Sequence, residues 1–104
     1  MTLAVALCPV EEAIRIIGGK WKLLVLRSLL LNGPQRYSEL AGTVTAISPK
    51  ELTRNLRELR GAGLVVRESG AVRTAGYDLT ELGRELMPTF ESLLVWGRKL
   101  LRAE

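Results

Sequence analysis

The sequence predicts a mainly α-helical domain with one small β-hairpin, arranged as a helix-turn-helix with a wing and flanked by extra N- and C-terminal helices. Three observations carry this. Helical apolar periodicity recurs in five segments. The run Ser48-Pro49-Lys50-Glu51 opens one of them as a capping box, after a turn of only a few residues. That helix is followed by two short apolar runs around a glycine-bearing loop, which reads as a hairpin. With 104 residues, 47% of them apolar, the chain is sized for a single domain, 1–104, around one modest core.

Pro9 suits a first helical position, and Val10, Ile14 and Ile17 recur at helical spacing until Gly18 and Gly19 end the first helix. From Lys20 to Leu31 apolar residues cover all but a narrow strip around Lys20, Lys22 and Arg27, so the second helix belongs in the middle of the domain. Asn32, Gly33 and Pro34 break it, and Gln35 to Tyr37 leaves room for a small edge strand. Ser38 is placed to cap a third helix from about Glu39 to Val44. In the fourth helix Ser48 caps, Pro49 needs no donor, Leu52, Leu56 and Leu59 form the buried stripe, and Gly63 supplies the stop. Gly61 inside its last turn weakens that turn by up to about 1 kcal/mol relative to Ala. Leu64 to Val66 and Tyr77 to Leu79 are the strands, and Gly70, Arg73 and Gly76 lie in the connection. Thr80 caps a last helix from about Glu81 to Arg102, with Pro88 as a kink.

The charge balance points to the partner. Fifteen Lys and Arg against eleven Asp and Glu give +4, which favours a polyanion such as nucleic acid. At 100° per residue, Lys50, Arg54 and Arg57 fall within roughly 40° of the direction opposite the leucine stripe. Thr53 and Arg60 flank this ridge, while Glu51 and Glu58 sit on the other side. A solvated charged face is the common reading of any such helix. A short turn, a basic second helix and a hairpin together match the arrangement that lays a recognition helix in the major groove.

The composition also excludes. There is no His, and Cys8 is the only cysteine, so a Cys/His zinc site, a Ser/His/Asp triad and an intrachain disulfide are ruled out. An enzyme, a metal or a cofactor is therefore not expected. Met1 to Leu7 is apolar but lacks a basic flank and a small-residue cleavage site, and no run approaches the roughly 18 apolar residues of a membrane span, so a cytoplasmic protein with no membrane partner is expected.

Individual residues divide between structure and function. Trp21 and Trp96 lie in helical apolar patterns and read as core or dimer packing. Tyr37 is either a phosphate contact or a packed tyrosine. Arg36 and Ser38 beside it suit a clamp on the DNA backbone at a helix start, and Ser48 another. Val10, Ile14, Phe90, Leu93, Trp96, Leu100 and Leu101 offer more apolar surface than one small core needs, which predicts an isologous homodimer through the first and last helices. Cys8 precedes a helix start, where the dipole favours thiolate, while Glu11 and Glu12 oppose it.

Six stretches resemble one family. Cys8-Pro9-Val10-Glu11, Ile17-Gly18-Gly19-Lys20-Trp21, Ile47-Ser48-Pro49-Lys50, Leu56-Arg57-Glu58-Leu59, Gly63-Leu64-Val65 and Leu79-Thr80-Glu81-Leu82-Gly83 are similar, in order and spacing, to those of the HxlR-type regulators. The resemblance implies a dimeric winged-helix transcription factor. A cysteine at the position of Cys8 acts as a thiol sensor in several members and not in others. Two departures stand out: members often carry Gln and Arg where this chain has Arg54 and Asn55, and the wing is short, with Ala75-Gly76 predicting flexibility.

The expected function is thus a sequence-specific regulator, a repressor, binding double-stranded DNA as a homodimer on an inverted repeat and open to an oxidant or small-molecule inducer. The expected DNA contacts are Arg36, Tyr37, Ser38, Ser48, Lys50, Thr53, Arg54, Arg57 and Arg73. The alternative is a winged-helix protein-interaction module, an adaptor or antitoxin whose basic ridge meets an acidic protein.

Overall fold

The computed structural model describes residues 8–68 and 76–102. Its elements are α1 (Pro9–Ile17), α2 (Lys22–Asn32), α3 (Tyr37–Thr43), α4 (Pro49–Gly61), β1 (Val65–Glu68), β2 (Gly76–Leu79), α5 (Glu81–Arg84) and α6 (Met87–Arg102). Residues 1–7, 69–75 and 103–104, Gly70, Arg73 and Ala75 among them, lie outside the described residues.

The apolar second helix takes the central place that its composition demands. Val25, Leu26 and Leu29 of α2 are buried against Leu40 and Val44 at α3, the Leu52, Leu56 and Leu59 stripe of α4, and Leu64, Val65 and Leu79 of the hairpin. The strands pair antiparallel with Val65 opposite Leu79 and Glu68 opposite Gly76. Gly63, the predicted stop of α4, has φ +80°, a left-handed conformation open to glycine.

Several boundaries differ from the expectation. The predicted edge strand shrinks to a single bridge, Gln35 with Tyr77. α3 begins two residues early, because Arg36 and not Ser38 is its N-cap residue: the Glu39 carboxylate accepts the Arg36 N–H at 2.8 Å. The last helix is two, α5 and α6, separated at Glu85 and Leu86. Pro88 does not kink a continuous helix but lies in the first turn of α6, where a missing N–H costs nothing. Finally, Gly76 lies in β2, not in the connection where the sequence reading puts it. It pairs within β2, and a Cβ there would sit 2.9 Å from the Gln35 carbonyl oxygen, so glycine lets the hairpin dock against the chain before α3.

The two tryptophans separate. Trp21 is in the core, with Lys20 Nζ 4.6 Å from its ring centre. Trp96 is 59% exposed on α6, which corrects the core reading. α6 has no buried residue at all; only Phe90 and its neighbour Leu86 pack on the core edge.

Candidate nucleic-acid interface

α4 starts where its sequence says. Ser48 Oγ accepts the Glu51 N–H at 3.1 Å and donates to Glu51 Oε1 at 3.2 Å, so this serine acts as the cap of the helix. Its stripe of leucines fixes the rotation of α4 against α2, and rotation decides what faces out. Lys50, Thr53, Arg54 and Arg57 are exposed and line one shallow groove with Pro49. Lys50, Arg54 and Arg57 form no salt bridge among the described residues.

The carboxylates of the same helix are drawn away. Glu51 accepts Trp21 Nε1–H at 3.1 Å, and Glu58 accepts Lys22 Nζ at 2.6 Å. Both carboxyl groups are thereby held below their ordinary value: Glu51 by the Ser48 backbone N–H first and Trp21 second, Glu58 by its hydrogen bond to Lys22. An outer face of cations, with the carboxylates of the same helix engaged by other partners, is a distribution that suits a phosphate-lined groove.

The remaining predicted contacts gather around the start of α3. Arg36 and Ser38 are exposed there, with Arg36 Nε 3.8 Å from Glu39. Tyr37 is half-buried, and its hydroxyl reaches the Pro49 carbonyl at 2.9 Å and Thr53 Oγ1 at 3.0 Å, clamping α3 to the first turn of α4. Tyr37 thus packs between helices and not as an edge-strand residue. Arg73 falls outside the described residues.

Two features have no forewarning in the sequence. Gln35 is buried, and its Nε2 donates to Ser28 O and Oγ while its Oε1 accepts from Thr43 Oγ1, a network joining α2, α3 and the bridge to the wing. Asn55, on the same helix as the ridge, is buried and donates to the Glu51 carbonyl at 2.7 Å, so it braces α4 from inside. A Leu-like period could have placed Asn55 inward, since it precedes Leu56 and follows Leu52 by three.

Away from α4 in sequence, Val10, Ile14, Leu93, Leu94, Val95, Trp96, Leu100 and Leu101 are all exposed, on α1 and α6. Cys8 is the N-cap residue of α1, partly exposed, its carbonyl accepting the Glu12 N–H. The Glu12 carboxylate is held by Arg15 at 2.6 Å and lies below its ordinary value for that reason. Among the described residues no group of His, Cys, Asp and Glu could hold a metal ion, and no helix is long and apolar enough to cross a membrane.

Two helices crossing at a short turn, an exposed basic second helix and a hairpin behind it define a winged helix-turn-helix protein. The sequence profile of the HxlR-like helix-turn-helix family matches residues 16–104. An HTH-type transcriptional regulator of Methanothermobacter thermautotrophicus is 43% identical over 94 residues, 88% of this chain and 71% of that protein. Quinone-bound YodB from Bacillus subtilis superposes with TM-score 0.78 and 32% identity over 88% of this chain and 99% of YodB. The redox regulator HypR in its oxidised form gives TM-score 0.76 and 36% identity over 88% of this chain and 96% of HypR. The chain belongs to the HxlR-like family and is a helix-turn-helix transcriptional regulator.

Proposed function

We propose that the protein is a cytoplasmic repressor that binds an inverted-repeat operator as a homodimer, one α4 in each of two major-groove half-sites. The observation that carries this reading is the outer ridge of α4, where Lys50, Arg54 and Arg57 form no salt bridge among the described residues while Glu51 and Glu58 are held by Trp21 and Lys22. Arg36 and Ser38 at the start of α3 contact the DNA backbone beside it. The hairpin follows the adjacent groove, and Arg73, between its strands in sequence, adds a contact there. Dimerisation through α1 and α6 is supported by apolar side chains that the protomer leaves in water, Trp96 and Leu101 foremost. Sheared genomic DNA from the source organism, retained on the protein and then footprinted, tests the reading. It predicts protected sites with two-fold symmetry and half-sites one or more helical turns apart. Fragments retained without sequence in common would mark a module with no operator.

A thiol response is the second reading, favoured by the position of Cys8 as N-cap of α1 next to the proposed dimer seam. Oxidation would join the two Cys8 thiols of a dimer or cap each with a small thiol; a quinone would alkylate them. Either product alters the seam and the spacing of the two α4 helices. HypR is a redox regulator, and YodB is seen with a quinone bound. Operator binding by wild type and Cys8→Ser, with and without diamide, decides it: loss confined to oxidised wild type supports the switch, and identical behaviour of the two proteins removes it.

A further inference from the structure

The Tyr37 hydroxyl meets two oxygens of α4, the Pro49 carbonyl at 2.9 Å and Thr53 Oγ1 at 3.0 Å. A phenol has one proton to give, and a carbonyl can only accept. Tyr37 must donate to Pro49, since otherwise two acceptors would face each other at 2.9 Å with no proton between them. The second contact therefore runs the other way, from Thr53 Oγ1 to Tyr37 Oη. This commits the only proton of Thr53. Its side chain is exposed in the groove formed with Lys50, Arg54 and Arg57, and it presents there a methyl group and oxygen lone pairs.

We propose that Thr53, fixed by Tyr37 as an acceptor-only hydroxyl, is a specificity-determining residue that accepts a hydrogen bond from the exocyclic amino group of adenine or cytosine and discriminates against guanine. The inference rests on the placement of α4 in the major groove proposed above. Phosphate oxygens are acceptors, so a hydroxyl with no free proton gains nothing from the DNA backbone. Guanine shows only the acceptors N7 and O6 in the major groove, whereas adenine N6 and cytosine N4 are donors. The neighbouring guanidinium groups have the complementary preference, being donors only, so one α4 face reads acceptors beside donors.

The test uses the full chain and a duplex pool with a randomised core, from which the preferred site is selected and every base of one half-site is then varied. In wild type one position should favour adenine or cytosine over guanine by about three- to tenfold, the range of one net hydrogen bond. Tyr37→Phe frees the Thr53 proton and should bring guanine at that position to within about twofold. Thr53→Val should abolish the preference there while leaving the others. These are ratios of affinities for one protein preparation, so a reduced folded fraction cancels, and a shift of α4 on loss of the Tyr37 clamp would change the ratios at the other positions as well. An unchanged ratio in Tyr37→Phe or Thr53→Val, with Arg54→Ala still weakening binding, overturns the inference alone. Unchanged binding in Arg54→Ala overturns the placement of α4 and this inference with it.

Discussion

Ala46 sits in the turn between α3 and α4 with φ +71°, the one residue other than glycine with positive φ among those described. The turn must reverse the chain within a few residues so that Ile47 packs against the core and Ser48 can cap. An L side chain there meets the following carbonyl, at a cost of roughly 1–2 kcal/mol, part of which glycine returns through its freer unfolded chain. Ala46→Gly should therefore raise stability by a few tenths to about 1 kcal/mol, read as a higher denaturant midpoint at unchanged slope. Lower stability would mean that the alanine methyl packs against something that outweighs the strain. At Gly83 the demand is opposite in kind: a Cβ would run into the Leu64 carbonyl oxygen, so the start of α5 can approach the hairpin only with glycine.

At the scale of elements, α4 is fixed to α2 by carboxylates as well as by leucines. Glu51 and Glu58 have folded-state values below the ordinary 4.5, Glu51 through the Ser48 backbone N–H first and Trp21 second and Glu58 through Lys22, so these bonds contribute stability that is fully present above that value and is lost as pH falls through the lowered ones. Stability should thus decline below about pH 4.5, and the double variant Glu51→Gln, Glu58→Gln should show a shallower decline, measured by denaturant titration across pH 2.5–6. Equal slopes would show that other carboxylates dominate acid unfolding. These bonds were only half legible. Periodicity and the capping box placed α4, its stripe and its basic ridge, because each is a local pattern within one helix. The partners of Glu51 and Glu58 lie 30 and 36 residues away and depend on how the helices pack. The start of α3 was misplaced for a similar reason: Arg36 is not a capping side chain, and the cap works through the reach of Glu39 instead. Likewise Gln35, between Pro34 and Arg36, carries no periodic signal, yet it is buried because Ser28 and Thr43 satisfy its amide. The separation of α5 from α6 was visible only as Pro88, read as a kink within a helix and not as the first turn of a new one.

For the whole molecule the division is between the half that carries the α4 ridge, the one proposed to face DNA, and an α1 and α6 surface that is apolar and exposed. Trp96 and Leu101 are 59% and 77% accessible, more than a lone protomer has reason to leave in water. If these helices are the dimer seam, Trp96→Glu should give a monomer at micromolar concentration in light scattering and should weaken operator binding without altering the fold of the DNA-facing half. A variant that remains dimeric would move the seam elsewhere. The central claim is that the α4 ridge meets DNA, and its most direct test is the affinity of Arg54→Ala and Arg57→Ala for the selected operator across a salt series. The account predicts a loss of about 1–3 kcal/mol where the side chain reads a guanine, and a log-log salt slope lower by about one where it neutralises a phosphate. Both variants binding with wild-type affinity and slope, at unchanged thermal stability, would contradict it.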